Sequence, residues 1–162
     1  MPDIKNVIDL DLSVTEKKPI RFGNDDNRIV YLNLSDMNVL SRLNETLPKL
    51  TDLGETASKI TDGIDVENTD DINATISGID AMSARLADVD AKMREYIDYI
   101  FNAPVSSAAA PDGSMYDPFN GSFRFEIIIT ALINLYDENL SAEFSKIEKQ
   151  VRTHTDKYTK GK

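Results

Sequence analysis

The stretch INATISGIDAMSARLADVDAKMREYIDYI, residues 72–100, decides the fold. Its apolar residues fall at Ile72, Ile76, Ile79, Met82, Leu86, Val89, Met93, Tyr96 and Ile100, in steps of three and four. That spacing draws one narrow stripe along a helix of roughly eight turns. A stripe of this length must be covered, and the preceding segment carries a matching one: Met37, Leu40, Leu43, Leu47, Leu50, Leu53, Ala57 and Ile60. Stacked antiparallel, the two make a helical hairpin over residues 36–102. The stripe is close to a heptad, with one slip near Ile79–Met82, where Gly78 also weakens the helix. It is read first as a face packed on its own domain, and second as a seam between chains, which leaves a homo-oligomer open.

Working outward, Ser35-Asp36 is a good cap before the first helix, and Pro48 inside it predicts a kink or break, because proline removes a backbone donor. Upstream the period changes to two. Ile8, Leu10, Leu12 and Val14 alternate with Asp9, Asp11 and Ser13 over residues 4–15, the pattern of a half-buried strand. A β-rich run, Ile29 to Leu32, follows the turn residues Gly23-Asn24-Asp25-Asp26-Asn27. Residues 1–35 are therefore expected to form a β-hairpin or meander. Downstream, residues 103–122 are rich in Ala, Ser, Pro and Gly and predict a flexible loop. Its sizeable apolar groups are Met115, Tyr116 and Phe119. Residues 123–162 predict a C-terminal helical pair with a basic tail: an apolar helix (Phe125, Ile128, Ile129, Leu132, Leu135, Tyr136), then a more polar one with Leu140, Phe144, Ile147 and Val151. The fold class expected is α+β, mostly α, in one domain.

The charge is uneven. The chain of 162 residues carries a net −10. Residues 146–162 hold six basic residues (Lys146, Lys149, Arg152, Lys157, Lys160, Lys162) against Glu148 and Asp156, so the tail is +4 and the remainder −14. An acidic body repels phosphate backbones, which argues against nucleic acid as a partner. No run approaches the roughly 18 apolar residues a membrane span needs, and no basic-then-apolar leader follows Met1.

Catalytic chemistry is not legible. There is no cysteine, and the single histidine, His154, has no ligand-spaced partner, so neither a thiolate nor a two-histidine metal site is expected. Asp88 and Asp90 are two apart on a helix and point in different directions. Asn24-Asp25-Asp26-Asn27 and Asp62-Gly63-Ile64-Asp65 lack the oxygen ladder and closing glutamate of a calcium loop. Phosphate-binding, dinucleotide and nucleophile-elbow patterns are missing. No enzyme activity, metal or cofactor is expected.

Several stretches carry a resemblance. Ile4-Lys5-Asn6-Val7-Ile8-Asp9-Leu10, Arg21-Phe22-Gly23-Asn24-Asp25-Asp26-Asn27-Arg28 and Leu32-Asn33-Leu34-Ser35-Asp36-Met37-Asn38 resemble a small protein family. So do Phe123-Arg124-Phe125-Glu126 and His154-Thr155-Asp156-Lys157-Tyr158-Thr159-Lys160. The family belongs to the tail-gene modules of tailed phages and prophages of Gram-positive bacteria and is similar to tail assembly chaperones. The resemblance covers both ends and leaves about residues 50–120 without support. It implies a non-enzymatic role: binding the long, helical, apolar tape-measure protein in the host cytoplasm while the tail tube assembles. A structural component retained in the virion tail, and a phage-encoded inhibitor of a host defence protein, are the alternatives. The contact residues expected from the stripe and the loop are Met82, Leu86, Val89, Met93, Met115, Tyr116 and Phe119.

Overall fold

The computed structural model describes residues 7, 8, 10, 17–62 and 72–159, with side chains described to residue 60 and from 76 to 153. The elements in order are β1 (Lys18–Arg21), β2 (Ile29–Leu32), α1 (Asn38–Asp62), α2 (Ile72–Phe101), α3 (Val105–Ala109), β3 (Pro118–Phe119), β4 (Ser122–Phe123) and α4 (Arg124–Thr159). The fold is α+β and mostly α, with a small two-stranded antiparallel sheet ahead of the long helices.

β1 and β2 pair in the register Lys18↔Leu32 through Arg21↔Ile29. Gly23 and Asn24, both at positive φ, turn the chain between them, a conformation glycine and asparagine reach most readily. Val30 and Leu32 point into the core, while Ile29 and Tyr31 face out. Val7, Ile8 and Leu10 are exposed and belong to no strand; the rest of the expected strand over 4–15 lies outside the described residues.

Asp36 starts α1, its Oδ1 accepting from the Asn38 amide at 3.0 Å. Helix α1 is not broken at Pro48. Its buried face is also rotated from the expected stripe: Val39, Thr46, Leu50, Ala57 and Ile60 are buried, whereas Met37, Leu40 and Leu47 are exposed. Thr46 can take a core position because its hydroxyl donates to the Arg42 carbonyl within the helix. Helix α2 runs back antiparallel, placing Arg42 Nε 2.8 Å from the Ile100 carbonyl oxygen and the Tyr99 hydroxyl 3.0 Å from Glu45.

The long stripe of α2 is core over its second half alone. Val89, Met93 and Ile100 are sealed, Met82, Leu86 and Tyr96 are partly buried with Ile97 taking the buried position beside Tyr96, and Ile76 and Ile79 are about half exposed. The first part of α4 closes the core with Phe125, Ile129, Leu132 and Tyr136. Fully burying such side chains contributes about 1.5–3 kcal/mol each.

Two expectations fail over the C-terminal third. The predicted flexible loop at 103–122 is built, with α3 and a β3–β4 hairpin inside it. Asn120 (φ 50°) and Gly121 (φ 79°) form the two-residue turn that suits an Asn-Gly hairpin. The predicted helical pair is one helix, α4, because no proline or glycine interrupts residues 124–159.

Candidate functional site

The residues that hold 103–122 in place come from one face of α2. Asp90, Arg94 and Asp98 are spaced four apart, so their side chains stack on one side of the helix. Arg94 Nε donates to Asp90 at 2.8 Å. Its terminal nitrogens donate to the carbonyls of Ser106 (3.2 Å), Ala110 (3.0 Å) and Gly113 (2.5 Å). Asp98 accepts from the Ser106 amide (2.8 Å) and hydroxyl (3.0 Å), satisfying the start of α3. The other oxygen of Asp90 accepts from the Met115 amide at 2.7 Å. From the sheet side, Arg28 donates to the Ala108 and Ala109 carbonyls, each at 2.7 Å. Three cationic or anionic side chains of α2 and one of the β1–β2 turn region thus replace water around an irregular backbone that would otherwise carry unpaired polar groups.

This clamp positions a cleft. Tyr116 and Ser114 stand opposite Ile79, Met82, Ser83 and Leu86 of α2, enclosing a cleft of about 370 Å³ with Asp90 at one end. Ile79 in its lining is half exposed, as is Ile76 three residues earlier on α2. On the α2 side small residues (Ser83, Ala87) alternate with larger apolar ones (Ile79, Met82, Leu86), the relief that receives ridges of another helix.

Of the seven residues singled out from sequence, Met82, Leu86 and Tyr116 come together in this cleft. Phe119 is exposed on the β3–β4 hairpin beside a different depression with Arg124 and Ile127. Val89, Met93 and Met115 are buried in the core, at 5%, 0% and 0% exposure, and offer no surface to a partner. Sequence reasoning weighed Asp90 only against Asp88 and set it aside, and it passed over Arg94 and Asp98. Their four-residue spacing beside an Ala/Ser/Pro-rich segment with many backbone groups to satisfy was the available signal.

Two tyrosines are perturbed. The Tyr99 phenol is raised, first by its hydrogen bond to Glu45 and then by desolvation. Burial raises Tyr136 to about 12, with Asp36 adding and Arg42 opposing. Neither lies in the cleft. Among the described residues no group of three His, Asp or Glu side chains is arranged to hold a metal ion, and no helix is long and apolar enough to cross a membrane. No protein-family description, curated protein or solved structure matches this chain.

Proposed function

We propose that this protein is a non-enzymatic phage tail assembly factor that binds the tape-measure protein during tube assembly. The observation that carries the reading is the apolar face of the first half of α2, Ile76 and Ile79 exposed, running into the cleft lined by Met82, Leu86 and Tyr116. Such a face suits an amphipathic helix laid along it, and Met82 supplies adaptable packing against differing side chains. The resemblance of both ends of the sequence to proteins of phage tail modules supports the same reading. The acidic balance of the body supports it too, since net charge keeps a complex with an apolar partner dispersed.

The test is co-expression with the tape-measure protein of the same genome, followed by co-purification and light scattering on a sizing column. Rescued solubility and a joint peak are expected. Ile79→Glu, at an exposed position, is expected to abolish both without unfolding the chain. Failure to associate, together with the protein's presence in purified tails by mass spectrometry, would replace this reading with that of a resident structural subunit.

A further inference from the structure

Asn120 precedes Gly121 in the exposed turn of the β3–β4 hairpin, and no other asparagine of the chain is followed by glycine. That dipeptide carries a chemistry of its own. The backbone nitrogen after an asparagine can attack the side-chain amide carbon, and a glycine there puts no β-carbon in its way. Asn24 (φ 57°) and Asn102 (φ 49°) share the left-handed backbone of Asn120 (φ 50°). They are followed by Asp25 and Ala103, whose β-carbons crowd the attacking nitrogen.

The hairpin controls the reaction. With φ positive at both central residues the turn is the mirror image of type I, which sets ψ of Asn120 to about +30°. In that conformation the Gly121 nitrogen is turned away from the Asn120 side chain, so the closed hairpin withholds the attack. The hold is slight. The ladder is two residue pairs, Pro118↔Phe123 and Phe119↔Ser122. Residues 118–121 are all exposed, Phe119 at 64%. The two strands are also unequally anchored. Phe123 is partly buried, stacks on Phe125 with ring centroids 5.6 Å apart, and lies against Gly54 of α1. At the base of the hairpin the Arg124 amide donates to the Asp117 carbonyl at 2.8 Å. Opening therefore frees Pro118 to Gly121 and leaves α4 and the core in place.

We propose that Asn120 is a self-modification site, deamidating without an enzyme at a rate set by opening of the β3–β4 hairpin. In the open form the Gly121 nitrogen gives its proton to solvent and bonds to Asn120 Cγ. The side-chain amide nitrogen takes up a proton and leaves as ammonia, closing a five-membered imide. Water then adds to one imide carbonyl and breaks its C–N bond, giving aspartate or isoaspartate with one more negative charge. Water is the co-reactant, and nothing is oxidised or reduced. Isoaspartate routes the backbone through the former side chain and adds a methylene to a two-residue turn, so the strand register is not recovered. The proposal does not depend on the tail-assembly reading, since it concerns the hairpin and not the α2 cleft.

The full chain is incubated at mildly alkaline pH. Its proteolytic peptides are followed by mass spectrometry for replacement of amide by acid, and chromatography separates aspartate from isoaspartate. Conversion at Asn120, with Asn24 and Asn102 intact over the same interval, is the expected result. In urea at the same pH, Asn120 should convert about ten- to a hundredfold faster, the gap that a short, fraying ladder gives. Ser122→Pro takes an amide from the ladder without touching Asn120 or Gly121, and should close most of that gap in the folded protein. Gly121→Ala should slow conversion in urea as well, because the β-carbon obstructs the nitrogen itself. Equal rates in the folded and unfolded chain would overturn the proposal, since the hairpin would then gate nothing. A gap above about a thousandfold would overturn it too, by placing the turn under global unfolding. Conversion of Asn24 or Asn102 as fast as Asn120 would remove the site's distinction.

Discussion

Replacing Arg94 by methionine tests whether the α2 clamp builds the segment 103–117. Methionine keeps much of the aliphatic stem, so the change removes the guanidinium with little loss of packing. The Ala110 and Gly113 carbonyls lose their Arg94 donor, the Ser106 carbonyl keeps only the Ala110 amide, and Asp90 loses its cation. The Arg94 and Asp90 side chains are 23% and 18% exposed, so water can repair only part of this. Hydrogen bonds to charged groups contribute about 1.5–3 kcal/mol each, and stranding a buried partner of an ion pair costs about 3–5 kcal/mol. Discounted for partial exposure, the loss should be about 3 kcal/mol. In a domain whose total stability is on the order of 10 kcal/mol, that is a midpoint drop of about 10 °C. Urea unfolding should show a lower midpoint, and limited proteolysis should cut first within 103–117. Arg94→Lys keeps the charge beside Asp90 but loses the planar fork, so it should retain roughly half of the stabilisation. A loss below about 1 kcal/mol for Arg94→Met, with cleavage between residues 103 and 117 unchanged, would refute the assignment.

Asp98→Ala should cost about 1–2 kcal/mol by leaving the Ser106 amide unpaired at the start of α3, a loss readable in the same urea titration. Gly78→Ala should stabilise the protein by about 0.8–1 kcal/mol, because Gly78 lies inside α2 and a β-carbon there meets nothing within 4 Å; a thermal melt checks it. Tyr136 has its proton held to about pH 12 in the fold, against about 10 in the unfolded chain. Its contribution is therefore complete below pH 10 and is lost as pH rises toward 12, because the unfolded state releases the proton first. Tyr136→Phe should remove a loss on the order of 2 kcal/mol over that window, measured as the difference in stability slope between the two proteins.

The sequence by itself determined the elements that repeat a pattern over many residues. The α2 stripe, the switch from period two to helical period at Ser35-Asp36, and the turn at Gly23-Asn24 are local signals that survive in the tertiary structure. Local spacing could not tell which side of α1 would be buried, because Leu40 and Leu47 are as apolar as Val39 and Leu50. Packing against α2 chose the face that includes Thr46, whose hydroxyl its own helix satisfies. Nor could it show that the α2 stripe divides into a sealed half and an open half, since periodicity records a face but not how far its cover extends. That division is what places Met82 and Leu86 in a cleft and Val89 and Met93 in the core. Residues 103–122 read as a loop because composition sees Ala, Ser, Pro and Gly. Their order comes from Asp90, Arg94, Asp98 and Arg28, polar groups distant in sequence whose hydrogen bonds exist only once the helices have met. Patterns within a single element were decided by the chain; contacts between elements, and with them the candidate site, were decided by the fold.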